Sequence, residues 1–222
     1  MPLRLGALAE PLTSCIRAFN RATRAGGLRW GDTVVEGSGP IGILAVAAAQ
    51  EMGAGRVICV GAPETPRLKL ARKFGAEATV NIEEVMTPEA RIKAVRDIIG
   101  GFGADLVMDC SGHPSAGPEG IEMLRDGGTY VEMGQFTDAG SIETSWHRIC
   151  TKDLNVLGSW GFTGNDLPLG VDMLYRTREK YPWFDMQTLY PLTEEGIGRA
   201  VADAMAMKTV KSTIVPWPEL LQ

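Results

Sequence analysis

Gly37, Gly39 and Gly42 stand at the spacing G-x-G-x-x-G, directly after the apolar run Thr33-Val34-Val35-Glu36 and at the start of the apolar run Pro40 to Ala49. At such a strand-to-helix junction the chemistry on offer is anion binding by backbone. Gly37 permits the tight turn, Gly39 lets the main chain approach a pyrophosphate, and Gly42 lets the helix pack close to its strand. The N–H groups of the first helical turn have no partner inside the helix and face the anion. Pro40 and Ile41 open that turn, where proline loses no needed hydrogen bond. With a second strand ending about 20 residues later, the motif reads as a dinucleotide phosphate loop.

In a dinucleotide site the second strand is expected to end in an acidic residue that hydrogen-bonds the adenosine ribose. Here it ends in Gly61, followed by Ala62-Pro63-Glu64-Thr65-Pro66-Arg67. Losing the carboxylate removes repulsion of a 2′-phosphate, which Arg67 can receive, whereas Glu64 can reach back as a substitute acid. NAD and NADP both stay open, with NAD the expectation. After a fourth strand, Asp109-Cys110-Ser111-Gly112-His113-Pro114 falls at the predicted cleft, and Cys110 and Ser111 are small enough for close contact with a cofactor. His113, between Gly and Pro, reads as a turn histidine, and His147 as part of a surface helical turn. Two histidines and four scattered cysteines cannot build a three-ligand catalytic zinc site, and G-x-S-x-G and H-E-x-x-H do not occur. No residue is assigned as catalytic.

The elements that must hold these residues alternate along the chain. Strands are expected at Asp32–Glu36, Arg56–Gly61, Ala78–Ile82, Asp105–Asp109, Gly128–Gly134 and Leu154–Trp160. Strands alternating with helices imply a parallel, doubly wound sheet with the ligand over the carboxyl ends of the strands. The loops after Glu36 and Asp109 are therefore expected to meet. Helix starts are placed at Gly39-Pro40, Thr65-Pro66, Thr87-Pro88 and Gly117-Pro118, and helix ends at Gly53, Gly75, Gly100 and Gly127. Thr188–Pro191, a helix from 193 to 207, and Thr209–Pro216 form a β-α-β appendix. The expected organisation is a linker helix and junction over 1–30, an α/β dinucleotide-binding domain over 31–185 and the appendix over 186–222.

A chain of 222 residues that is 45% hydrophobic can bury one sizeable core. The formal charge of −5, without a Lys/Arg block, argues against a nucleic-acid partner. Pro40 to Ala49 is too short to cross a bilayer, so no membrane partner and a cytoplasmic location are expected. Cys15, Cys59, Cys110 and Cys150 lie far apart and are expected reduced and mostly buried.

Ala9-Glu10-Pro11-Leu12, Gly31-Asp32-Thr33-Val34-Val35, Gly37 to Gly42, Phe74-Gly75-Ala76, Gly103-Ala104-Asp105-Leu106-Val107 and Gly127-Gly128-Thr129-Tyr130-Val131 together resemble the zinc-dependent medium-chain alcohol dehydrogenases of the sorbitol and threonine dehydrogenase type. The resemblance implies a six-stranded Rossmann sheet and covers the second half of such an enzyme, without the GroES-like catalytic domain. It places Glu10 at the zinc of a complete enzyme, although in this chain Glu10 reads as a carboxylate opening the helix Leu12–Ala25. It sets Lys211 against the pyrophosphate, and Met133-Gly134-Gln135 with Gly158-Ser159-Trp160 along the nicotinamide. It implies hydride transfer between a small alcohol or ketone and NAD(P), zinc in the complete enzyme only, and a homo-oligomer, with Ser141–Ser145 as the candidate edge. A separate chain carrying the catalytic domain is a further implied partner. A stand-alone dinucleotide-sensing module and an S-adenosylmethionine-dependent methyltransferase are the alternative readings.

Overall fold

The computed structural model describes residues 2–26, 31–217 and 219. Its centre is a six-stranded parallel sheet of β1 (Thr33–Glu36), β2 (Val57–Gly61), β3 (Ala78–Asn81), β4 (Ala104–Asp109), β5 (Leu124–Glu132) and β6 (Asn155–Gly158). The strands lie in the order β3-β2-β1-β4-β5-β6, so the order reverses between β1 and β4. Glu36 pairs in register with Val60 of β2 and with Asp109 of β4, which aligns three strand ends at one place.

β1 and β2 are apolar on both faces because both faces are covered. Val34, Ile58, Val60 and Val107 point to one side, against α5 (Pro88–Ile99) and α6 (Ala116–Met123). Val35, Val57, Cys59 and Met108 point to the other. There they meet α1 (Leu3–Gly6), α2 (Ala9–Arg24), α3 (Pro40–Glu51), α4 (Lys69–Lys73) and α8 (Leu167–Arg176). α2 and α8 approach so closely that a Cβ on Gly170 would overlap the Thr13 hydroxyl. Trp183, 1% exposed, closes this side with Phe74 and Tyr181, and its Nε1–H donates to the Thr177 carbonyl at 3.0 Å.

The expected strands match the observed ones to within a few residues. The helix starts at Pro40 and Pro88 stand as expected, and Thr87 caps the second by accepting the Ala90 N–H. Thr65 keeps an extended backbone inside the wide turn Glu64–Leu68, which passes into α4. Two punctuation marks differ. The helix expected at Gly117-Pro118 starts at Ala116 after Ser115, with Pro118 inside the first turn, where its missing N–H still costs nothing. Gly127 does not end that helix, because Leu124 passes straight into β5 and pairs with Ala104 across a register shift. Gly127 instead takes φ +71° within the strand, and its N–H donates to the Lys152 carbonyl.

The tail forms its own two-stranded parallel sheet, β7 (Gln187–Pro191) with β8 (Lys211–Val215), linked by α9 (Glu194–Met205). Residues 141–145 are not a strand and lead irregularly into α7 (Trp146–Thr151), so the outer strand on that side is β6. The cysteines are free, with Cys15 and Cys59 buried, Cys110 half-buried and Cys150 exposed. No described helix is long and apolar enough to cross a membrane.

Candidate functional site

The glycines of the loop do three different jobs. Gly37, at φ +103°, lies so near the next loop that a Cβ there would sit 2.8 Å from the Cys110 carbonyl carbon and the Ser111 backbone. The loops after β1 and β4 therefore meet, joined by Cys110 N–H donating to the Glu36 carbonyl at 2.7 Å. Gly42 presses α3 onto the loop, since a Cβ there would overlap the Gly37 carbonyl oxygen. Gly39 differs: it is extended, caps α3, and has no atom within 4 Å of its Cβ position. The empty space lies at the N-terminal, electropositive end of α3, beside Pro40 and Ile41. A cradle closed by packed glycines and open only over Gly39 fits a dinucleotide diphosphate.

Gly61 is explained by the same crowding. A Cβ there would strike Ser38, whose hydroxyl donates to the Ala62 carbonyl at 2.8 Å, so the end of β2 has no room for an acidic side chain. Glu64 is held by Arg72, which also donates to Thr79 at 2.6 Å. Arg67 is half-buried, and its Nε has no hydrogen-bond partner among the described residues.

A cleft opens on each side of the loop crossing. On the α5 and α6 side, about 230 Å³ is lined by Glu36, Gly37, Gly61, Ile82, Ser111 and His113, with Arg91 and Glu119 at its far wall. On the α2 side, about 330 Å³ is lined by Arg17, Arg21, Met133, Gln135, Ser159 and Trp160. The buried Gln135 Nε2 and Ser159 Oγ lack partners here, while Arg17 donates to the Trp160 carbonyl at 2.8 Å. Gly134 packs against the loop after β4, its Cβ position lying 2.7 Å from the Gly112 nitrogen.

Beneath the crossing lies a concentration of acid. Glu36 is 4% exposed and Asp109 is fully buried, and each keeps one carboxyl oxygen without a partner among the described residues. Burial pushes the Glu36 carboxyl well up, Asp109, Glu119 and Glu132 add to the rise, and Arg91 opposes it. Burial and then Glu132 push Asp109 up to about 6, against the Ser111 N–H that donates to its Oδ1 at 2.6 Å. The Tyr130 phenol, donating to Glu132 at 3.2 Å, is raised by burial and by Glu36. Burial likewise raises the Cys110 thiol, which disfavours the thiolate form.

Asp109 makes stability depend on pH. A carboxyl with a raised folded pKa keeps its proton where the unfolded chain has released it, so stability falls as pH climbs from about 4 to about 6. Replacing Asp109 by Asn removes that slope. Urea denaturation is expected to shift in favour of the variant, relative to the parent, by on the order of 2 kcal/mol between pH 4 and pH 7. An unchanged difference across that range would refute the assignment.

Of the other residues singled out in the sequence, His113 stands at the cleft rim with Nδ1 2.8 Å from the Ser115 hydroxyl, and His147 is exposed on α7. Lys211 opens β8 and does not line the cleft beside the loop. Glu10 is exposed in the first turn of α2. Among the described residues no three His, Cys, Asp or Glu side chains gather as candidate metal ligands. Glu36, Arg91 and Glu119 were not singled out in the sequence. The available signal was Glu36 itself, an acid ending an otherwise apolar strand.

Residues 40–176 match the family described as zinc-binding dehydrogenase. The chain is 40% identical over 162 residues to an erythritol/L-threitol dehydrogenase of Mycolicibacterium smegmatis, covering 72% of this chain and 41% of that protein. It is 36% identical over 176 residues to a probable D-xylulose reductase A of Aspergillus terreus, covering 78% and 47%. The chain thus spans less than half the length of these two curated relatives. Among solved structures, an alcohol dehydrogenase of Thermotoga maritima superposes with a TM-score of 0.84 at 26% identity, over 96% of this chain and 57% of that one.

Proposed function

From the premise that this chain belongs to the zinc-binding dehydrogenase family, we propose that it binds NAD(P) for hydride transfer between a small alcohol or polyol and its carbonyl form. The carrying observation is the cradle at Gly37, Gly39 and Gly42, packed shut on two sides and open above Gly39. In this reading the α3 N-terminus, with Gly39, Pro40, Ile41 and Gly42, faces the diphosphate. Gly61, Cys110 and Ser111 border the adenosine side, and Met133, Gly134 and Ser159 border the nicotinamide. Lys211, at the start of β8, supplies the positive charge set against the pyrophosphate. Bound nicotinamide supplies the hydride chemistry. The chain's own residues position it: Gln135 and Ser159, with polar atoms that have no partner among the described residues, stand beside the carboxamide.

Polarisation of the substrate oxygen falls, in this reading, to residues outside these 222, on a covalently joined or separate catalytic domain, with Glu10 facing it. The chain works in the cytoplasm as a homo-oligomer. The polyol names of the two curated relatives favour a small polyol as substrate.

The preference for NAD depends on Glu64 reaching the ribose. With Glu64 held by Arg72, and Arg67 Nε without a partner among the described residues, NADP is admitted as well, its 2′-phosphate neutralised by Arg67. Titration of reduced cofactor followed by nicotinamide fluorescence tests both levels. The chain is expected to bind NADH and NADPH, and Arg67→Ala to weaken NADPH about tenfold while leaving NADH within about twofold, one charge-assisted contact being worth roughly 1–2 kcal/mol. Absence of binding to either dinucleotide defeats the functional reading. Equal losses for both defeat only the role of Arg67.

A further inference from the structure

The outer face of α2 carries a charge that its surroundings do not balance. Arg17, Asn20, Arg21 and Arg24 follow the spacing i, i+3, i+4, i+7, which sets all four on one side of the helix. That side walls a cavity of about 300 Å³, completed by Thr163, Asn165 and Asp166 at the start of α8. Three guanidiniums therefore meet a single carboxylate, in a chain whose formal charge is −5. The carboxylate is already committed, because Asp166 Oδ2 accepts the Thr163 N–H at 2.8 Å and the Thr163 hydroxyl at 2.7 Å. None of the three arginines forms an ion pair with it, or with any other acid among the described residues. Turned back to Thr163, Asp166 also leaves the N-terminus of α8 without a side-chain cap, and that end carries partial positive charge. Arg17 is held in place by its own bond, Nη1 donating to the Trp160 carbonyl at 2.8 Å.

We propose that this cavity is an oxyanion site for a phosphate group, separate from the cradle over Gly39. The lining is rich in donors: three guanidiniums and the amides of Asn20 and Asn165. Three positive charges set against one negative leave two, which is the charge of a phosphate monoester or of inorganic phosphate near neutral pH. A monovalent anion would leave one charge unmatched. The exposed Arg21 and Arg24 stand one turn apart, so their planar forks can grip different oxygens of one tetrahedral group. None of these residues lines the cleft that holds Gly37 and Gly61, so the site is distinct from the dinucleotide loop. Arg17 and Arg21 also line the cavity beside Ser159 and Trp160, which gives an organic group attached to the phosphate a place to extend. Inorganic phosphate and a phosphorylated small polyol share this chemistry.

The test follows backbone amide signals by proton–nitrogen NMR while phosphate replaces chloride at constant ionic strength. Signals of residues 20–24 and 163–167 are expected to shift together and to saturate, half-way at about 1 mM, with NAD present or absent. Arg21→Ala and Arg24→Ala are each expected to weaken phosphate about tenfold, the loss of one charge-assisted contact, and Arg21→Lys about threefold, since charge stays and the fork is lost. Lys93→Ala removes the same charge from α5, across the sheet, and is expected to stay within about twofold. A parallel titration with glycerol 3-phosphate separates the sources: saturation by either ligand supports the site, and the tighter one identifies the source. Thermal melting checks that each variant is folded. Shifts that grow linearly without saturating, or saturation confined to residues 37–42, overturn the proposal from the parent chain alone. Undiminished affinity in the folded double variant Arg21→Ala with Arg24→Ala overturns it as well.

Discussion

Replacing Gly39 by Val is expected to abolish dinucleotide binding while leaving the fold nearly untouched. Gly39 has φ −73° and ψ −172°, an extended conformation open to any residue, and its Cβ direction meets no atom within 4 Å. The added isopropyl group clashes with no protein atom near its Cβ. Its cost to the helix is the lost N-cap preference, about 1 kcal/mol. The space it fills is the one the diphosphate requires, so affinity is expected to fall on the order of 100-fold or more, equivalent to about 3 kcal/mol. Gly42→Ala is the matched control. Its methyl group overlaps the Gly37 carbonyl oxygen, which is backbone and cannot swing away, so that variant loses stability and binding together. Fluorescence titration beside thermal melting separates the two. Undiminished binding by folded Gly39→Val would mean that the loop holds no diphosphate.

The second large effect is expected from Arg91→Ala. Arg91 and Glu119 form a two-pronged ion pair whose side chains are 12% and 9% exposed, and Arg91 also ties down the Val85 and Met86 carbonyls. Removing the guanidinium strands the Glu119 carboxylate in a nearly dry wall beside Glu36, and frees two carbonyls. Breaking one side of such a buried pair costs about 3–5 kcal/mol, far above the worth of the exposed pairs elsewhere on this surface. Denaturant unfolding should show this as a lower midpoint with an unchanged slope. A loss below about 1 kcal/mol would show that the pair is solvated. Because α5 and α6 are joined here, the variant also loosens the cleft wall and is expected to weaken dinucleotide binding.

Much of this arrangement is written in local patterns. Thr33-Val34-Val35 and Val57-Ile58-Cys59-Val60 are apolar runs too short for helices, and Pro40 and Pro88 stand where a helix can begin without a missing hydrogen bond. Gly117-Pro118 and Gly127 misled for a shared reason. Proline is tolerated anywhere in the first turn, and a left-handed glycine also serves a strand, so neither marks its boundary uniquely. The reason for Gly61 was equally hidden, because Ser38, which excludes a side chain there, lies more than 20 positions away in sequence.

The sequence by itself determined the alternation of strand and helix, the phosphate-loop glycines and the meeting of the loops after Glu36 and Asp109. These follow from short-range spacing and from the handed, parallel winding that such alternation imposes. Only the tertiary structure decided which glycine is packed and which is open, that Glu64 belongs to Arg72, that Arg91 belongs to Glu119, and that one Glu36 oxygen is buried with no partner among the described residues. Those outcomes depend on which groups from distant segments arrive within hydrogen-bonding distance and how much water remains between them. Residue type and spacing along the chain carry no record of either.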